Sequence, residues 1–400
     1  MRDLVLLAIL FPSIHFAQGW EQLPSFPGTP RDDAASFVIG DHIYVGTGME
    51  VGWGLTNDWW RFDVNSEIWE PIASMPASPR QYCTAFTIWD TAYVFGGLDG
   101  NGALNELWAY RPDLDQWSQK ASLPAEARYA CVGQEGLLSA VIATGMLSNG
   151  IPTAEAWKYW PGSDTWEQLS DVPGPPRHRA ASTPDGGGMM ICGGADADFN
   201  ALDDCWSYPL WFEVGEWFPA PSLIAPRYGH RGAGYEVIIA GASDTFEMHD
   251  NVWHLNSTDP QELPPFAGGP RRGGIGQGRI TSPPIINTVY FGLGIGPLDG
   301  DFVRFNDWWK LSFPVSVGEL SDRTFTFYPN PATDRITLQL SDQWKNAIVS
   351  IHDELGRIVK QLSLPMDRMI DLNDLAPGRY EILLTSTDQR TLRAPLIKLE

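Results

Sequence analysis

Residues 92–110 read AYVFGGLDGNGALNELWAY. An apolar run stops at two glycines, a polar loop follows, and a second apolar run carries a tryptophan. The text is one of six copies. The apolar runs are IYVGTG (43–48), AYVFGG (92–97), AVIATG (140–145), MMICGG (189–194), VIIAGA (237–242) and VYFGLG (289–294). Their last residues, Gly48, Gly97, Gly145, Gly194, Ala242 and Gly294, are 49, 48, 49, 48 and 52 residues apart. A tryptophan follows each run: Trp60, Trp108, Trp157, Trp206, Trp253 and Trp309. Four of these are followed by another: Trp69, Trp117, Trp166 and Trp217. An arginine precedes each run: Arg31, Arg80, Arg128, Arg177, Arg227 and Arg271. Markers sharing a period near 50 residues denote a repeat architecture.

Each unit offers four short strands. The first follows the arginine and the second is the apolar run. The third carries text such as NELWAY or NDWWRF, and the fourth begins near the later tryptophan. The second run has few polar alternations, so both its faces must be covered, as in a sheet sandwiched between sheets. The glycines suit a backbone that turns left-handed or passes close to another strand. A four-stranded sheet with two apolar faces needs stacked copies, and radial stacking gives a β-propeller. The segment WEQL (20–23) has the character of a fourth strand but precedes every other strand. It is expected to complete the last sheet, after Trp309, giving six blades with no free edges.

The double glycine and spaced aromatic pair resemble the kelch repeat, over residues 20 to about 313. The resemblance implies a kelch-type β-propeller. Its weakest copies are the fifth, where Ala242 stands in place of the second glycine, and the sixth, where PQELPPF (260–266) lacks the fourth-strand tryptophan.

Beyond residue 314 the text changes. PVSVGELSDR (314–323) reads as a linker, and about seven short strands then follow, which suggests a small Ig-like β-sandwich at 324–400. The motifs YPNPATDRITLQL, DELGRIVK and LNDLAPGRYEILL resemble the type A C-terminal sorting domain of bacterial type IX secretion substrates. The residues carrying that likeness are Tyr328, Pro329, Asn330, Pro331, Gly356, Gly378 and Tyr380. The resemblance implies a bacterial protein that meets the type IX machinery through residues 324–400 and is released or held at the cell surface.

At the other end, a basic residue, an apolar run from Leu4 to about Ile14 and Ala17 fit a secretory signal peptide over 1–18. That leaves 19–313 for the propeller. No stretch reaches the ~20 apolar residues of a membrane-spanning helix. The net charge is −22, and residues 1–314 hold 17 Lys and Arg against 37 Asp and Glu. An acidic body argues against nucleic acid and anionic membrane as partners. An unknown extracellular glycan or protein remains as the partner.

Three sets of residues are candidates for function. The six marker arginines would form a ring about the axis. A feature present in every repeat reads as structural, bonded to backbone carbonyls or acids, with an anion-binding collar as the other reading. The residue after each arginine varies: Asp32, Gln81, Tyr129, His178, Tyr228 and Arg272. Variation on a repeated scaffold is how a surface acquires specificity, and this set at the channel mouth would suit a sugar-like ligand. The loops LDGNG (98–102), ADADFNALDD (195–204) and LDGD (298–301) carry the oxygens calcium uses, without EF-hand spacing, and read as solvated turns.

Function is therefore read as a secreted or surface binding module with no cofactor. The rival reading is a carbohydrate-active enzyme at the channel mouth, either a copper-radical oxidase resembling galactose oxidase or a sugar mutarotase. His178, His230, Tyr82, Tyr129 and Cys83 are the residue types copper would need, without a local motif of that family. Of the four cysteines, Cys192 and Cys205 lie on successive strands of one repeat and are candidates to pair. Cys83 and Cys131 hold equivalent places, matched elsewhere by Ala34, Ala180, His230 and Gly274, and lack zinc-site spacing.

Overall fold

The computed structural model describes residues 19–136, 138–184, 188–210, 215–255, 260–281, 286–314, 326–328, 332–340, 344, 347–353, 357–385 and 391–399. The expected signal peptide lies outside the described residues, as do 315–323 of the linker and Pro329, Asn330, Pro331 and Gly356 of the sorting motif. Among the described residues there is no α-helix, and so none long and apolar enough to cross a membrane.

Six four-stranded antiparallel sheets fill the repeat region among the described residues. The first sheet runs outward through Ala35–Ile39, His42–Gly46, Trp59–Asp63 and Ile68–Ile72. The next four repeat that order, with innermost strands Thr84–Ile88, Val132–Glu135, Ala181–Pro184 and Arg231–Gly232. The sixth holds Ile275–Thr281, Ile286–Gly292 and Trp308–Pro314, and its outer strand is Glu21–Leu23. That strand pairs in the register Glu21↔Lys310, Gln22↔Trp309 and Leu23↔Trp308. The segment next to Trp20 therefore lies against the strand bearing Trp309, and Trp20 itself packs edge-on to Phe266 at 5.0 Å.

The second strands are buried on both faces, as their composition requires; Ala140–Ala143 and Gly188–Cys192 are buried at every position. Each apolar cluster bridges two neighbouring sheets. Phe37 and Tyr44 of the first sheet pack with Val94 and Tyr110 of the second. Ile43 and Phe62, on its other side, pack with Tyr290 and Trp308 of the sixth. Burial of side chains this large stabilises by about 1.5–3 kcal/mol each, and no sheet can supply it alone.

Two cycles of backbone hydrogen bonds run through the six sheets. The repeat glycine donates to the carbonyl of the next repeat's marker arginine: Gly48 to Arg80, Gly97 to Arg128, Gly145 to Arg177, Gly194 to Arg227, Gly241 to Arg271 and Gly294 to Arg31. Those glycines have φ between 92° and 107°. A Cβ on Gly97 would sit 2.8 Å from the Gln81 carbonyl oxygen, so glycine is required by space as well as by conformation. The fifth repeat corrects the sequence alignment. Its invariant position is Gly241, φ 104°, and not Ala242; Ala240, φ 61°, fills the preceding place that Gly96 and Gly193 take elsewhere.

Beyond the repeats, Thr326–Tyr328, Arg335–Gln339 and Met369–Asp371 form a three-stranded sheet. Ile358–Ser363, Ile348–His352, Gly378–Thr385 and Thr391–Lys398 form a four-stranded one. Ile336, Trp344, Val349, Ile351, Ile382 and Leu384 are buried between them. Of the sorting-motif residues described, Tyr380 is buried, with its hydroxyl donating to the Ala376 carbonyl at 2.7 Å; Gly378 opens the long strand and Tyr328 is exposed.

Candidate functional site

The marker arginines point into the body and are all buried to 1% exposure or less. Each guanidinium is held by a carbonyl two residues back, as Arg80 by Ser78 at 2.9 Å. Five also meet a carboxylate two residues before the repeat tryptophan. The pairs are Arg31–Asp58 (2.6 Å), Arg80–Glu106 (2.8 Å), Arg128–Glu155 (2.6 Å), Arg177–Asp204 (2.6 Å) and Arg271–Asp307 (2.6 Å). The tryptophan indole donates to the same carboxylate, as Trp206 to Asp204 at 2.7 Å. These bonds hold the carboxyls of Asp58, Glu155 and Asp204 below their usual range against the opposing effect of burial. The arginines thus tie their own repeats together.

Two residues further along, the chain turns into the lumen. Asp33, Tyr82, Ala130, Arg179, Gly229 and Gly273 all have φ between 52° and 64°. Their backbones form the second cycle. Tyr82 donates to Asp33, Ala130 to Tyr82, Arg179 to Ala130, Gly229 to Arg179, Gly273 to Gly229 and Asp33 to Gly273, at 2.8–3.0 Å. Inside lies a cavity of about 230 Å³, lined by Asp33, Tyr82, Arg179 and Arg231 and reaching Gln134, Glu135 and Gln277.

This lining is polar and incompletely satisfied. Arg179 donates to the Tyr82 hydroxyl at 2.7 Å and lies over that ring at 4.9 Å. Its Nε is buried without a hydrogen-bond partner, as is Oδ2 of Asp33. Asp33 meets Arg231 at 3.4 Å. Burial raises the Tyr82 phenol, and Asp33 adds to the rise. Glu135 is reached by solvent from the lumen, yet enclosure by the walls raises its carboxyl. Donors and acceptors that look into a small polar cavity suit a polar ligand carrying both.

Asp32, Gln81, Tyr129, His178, Tyr228 and Arg272 are brought to one end of the ring, each paired with the start of the loop after the second strand. They are not among the cavity-lining residues. Asp32, Gln81, His178 and Tyr228 are buried, and Tyr129 and Arg272 are half-buried. Asp32 accepts from Arg304 at 2.5 Å; burial and then the neighbouring Asp33 push its carboxyl up to about 6. His178 packs edge-on to Phe199 at 5.0 Å, and burial, then Arg179, pulls its imidazole down to about 4. Tyr129 lies 5.8 Å from Tyr82.

Sequence reasoning missed the loop tips beside this ring. Trp53, Phe199, Phe246 and Phe302 are exposed at 74%, 41%, 65% and 65%. Trp53, Phe199 and Phe246 have φ of 68°, 62° and 62°, where Gly150 occupies the corresponding turn position of the third repeat. A bulky side chain in that conformation costs about 1–2 kcal/mol. Trp53 is stacked by Arg304 at 5.0 Å, and Phe199 lies 5.9 Å from Arg179. The signal was an aromatic in a polar turn, a place where no core explains it.

Cys192 and Cys205 lie directly opposite across two strands and form a disulfide. Cys83 and Cys131 are free, and burial pushes their thiols up to about 11 and 12. Of the residues weighed for copper, Tyr82 and Cys83 line the cavity, whereas His178, His230 and Tyr129 do not. Among the described residues no group of three or more His, Cys, Asp and Glu is placed to hold a metal, the acidic loops included.

Residues 17–181 match the model of the KLHDC2/KLHL20/DRC7 kelch-repeats domain, and residues 326–398 match that of the secretion system C-terminal sorting domain. A solved structure of YjhT aligns with 72% of this chain and 96% of that one, with a TM-score of 0.58 and 15% identity, which is a likeness of fold. No curated protein gives a match. The chain is thus similar to kelch-repeat domains over residues 17–181 and to secretion system C-terminal sorting domains over residues 326–398.

Proposed function

We propose that this is an exported binding protein whose ligand is a glycan, held at the loop-tip end of the propeller with its terminal sugar in the cavity. The sorting domain supports secretion or display at the cell surface through the type IX machinery. On this reading residues 1–18 are the signal peptide, 19–313 carry the ligand, 314–323 connect and 324–400 address the protein.

The observation that carries the reading is the crown of Trp53, Phe199, Phe246 and Phe302 around a polar lumen. Exposed aromatic faces stack on the apolar faces of sugar rings, and the lumen offers donors from Arg179 and acceptors from Asp33. Asp32, Gln81, Tyr129, His178, Tyr228 and Arg272 brace the loops that bear the crown. The test is a glycan array on the mature protein, with Trp53→Ala, Phe246→Ala and Arg179→Ala beside it. Expected is a hit weakened at least tenfold by each variant; binding indifferent to all three would sink the proposal.

A second reading, sugar mutarotation, draws on one observation. Asp32, with its carboxyl at about 6, adjoins Asp33, and a carboxyl poised near neutrality can exchange protons with a sugar. Accelerated anomer exchange, abolished by Asp32→Asn, would favour it.

A further inference from the structure

The fifth sheet breaks the pattern of the arginine ring. In the other five repeats one carboxylate oxygen accepts from both Nη2 of the arginine and Nε1 of the tryptophan. In the fourth repeat Asp204 Oδ2 receives Arg177 at 2.6 Å and Trp206 at 2.7 Å. In the sixth, Asp307 Oδ2 receives Arg271 at 3.1 Å and Trp309 at 2.8 Å. The fifth repeat has Asn251 at this position.

Arg227 Nη1 donates to Asn251 Oδ1 at 2.7 Å, and this bond fixes which way the amide points. The place of the shared oxygen then belongs to Nδ2, which is itself a donor. Nε1 of Trp253 is buried without a partner. The other bonds of Arg227 go to the carbonyls of Ala225 and Ala240 from Nε and Nη1, and Nη2 has no acceptor among the described residues. Arg227 is 1% exposed and meets no carboxylate within salt-bridge distance among them. An indole N–H, an amide N–H₂ and a guanidinium therefore converge with one negative charge missing. A buried cation left so is costly, and burial lowers the Arg227 guanidinium accordingly.

We propose that a monovalent inorganic anion, with chloride as the probe, binds between Arg227, Asn251 and Trp253 and replaces the carboxylate that the other repeats carry there. The equivalent carboxylates are 18–37% exposed, so a small ion reaches the place from solvent. The site is separate from the lumen and does not depend on what the lumen binds.

Thermal unfolding, followed by tryptophan fluorescence, tests it on the full chain. Trp344 is the one tryptophan beyond residue 313, so the signal reports the repeats. At fixed ionic strength, replacing methanesulfonate by chloride is expected to raise the wild-type Tm by about 2 °C or more. Asn251→Asp, which restores the carboxylate, is expected to unfold at higher temperature and to ignore the salt exchange. Bromide in crystals is expected to give an anomalous peak within contact of Trp253 Nε1. Equal salt responses in wild type and Asn251→Asp, no response in either, or no bromide at the site would each overturn the proposal. Stabilisation by acetate alone would overturn the assignment to a halide.

Discussion

Two rings lie two residues apart in every repeat and could hardly differ more. Arg31 and its five counterparts share one side chain, are wholly buried and turn toward their own repeats. Asp33, Tyr82, Ala130, Arg179, Gly229 and Gly273 share a backbone conformation but no common side chain, and the first four line the lumen. The first ring repeats one chemistry because it solves one problem in every repeat: the guanidinium satisfies the carbonyls of a turn, and in five of the six repeats a carboxylate neutralises it. The second needs only the same φ, which leaves the side chain free to vary. Sameness marks the scaffold, and freedom under a fixed backbone marks the surface available to a ligand.

Substitution can break that contrast. The largest effect is expected from Arg177→Met, which strips Asp204 and Trp206 of their partner inside the fold. A loss of about 3 kcal/mol or more in chemical denaturation is expected. Arg179→Ala, two positions on, should leave stability within about 1 kcal/mol and take away the proposed binding. If the two variants destabilise alike, the division between the rings is wrong.

Acid sharpens the comparison next. The buried imidazole of His178 sits at about 4, below the ordinary 6.5, so the unfolded chain takes up the extra proton as pH falls. Its contribution is full above pH 6.5 and is lost on the way down to about 4. His230 and His249 are lowered too and add to the loss. Asp32 works the other way, because its raised carboxyl stabilises the fold below about 4 and loses that contribution as pH rises through about 6. The net expectation is falling stability on acidification, with His178→Asn flattening the slope by on the order of 1–3 kcal/mol. A slope unchanged in that variant would remove His178 from the account.

The smallest effect has an unusual sign. Phe246→Gly removes an exposed aromatic from a left-handed turn and is expected to raise stability by up to about 1 kcal/mol, while weakening the proposed glycan binding. A protein made less stable by this change would show that the ring is packed rather than presented.

The repeats were legible because their markers are structural necessities: glycine where two backbones meet, arginine where a charge is buried, and tryptophan where sheets stack. Most residues that line the cavity went unnamed for a physical reason. Asp32 and Gln81 start the innermost strand on paper, but Asp33 and Tyr82 take positive φ and swing the next side chain inward instead. Non-glycine residues give no sign of such a turn in sequence. The fifth repeat hid its glycine in the same way, since Ala240 accepts a conformation that the other repeats give to glycine, threonine or leucine. Exposed aromatics at the loop tips went unread because eighteen tryptophans in one chain suggest core before they suggest surface.

The pairing of Glu21–Leu23 with Trp308–Pro314 also sets a timetable. A chain emerging from the ribosome or threading through a translocon presents one half of that contact almost three hundred residues ahead of the other. Until the later strand appears, the early one has nowhere to dock, and the body stays open along one seam. That contact can form only once the strand ending at Pro314 has been made, so the first residues of the repeat region are among the last to find their place.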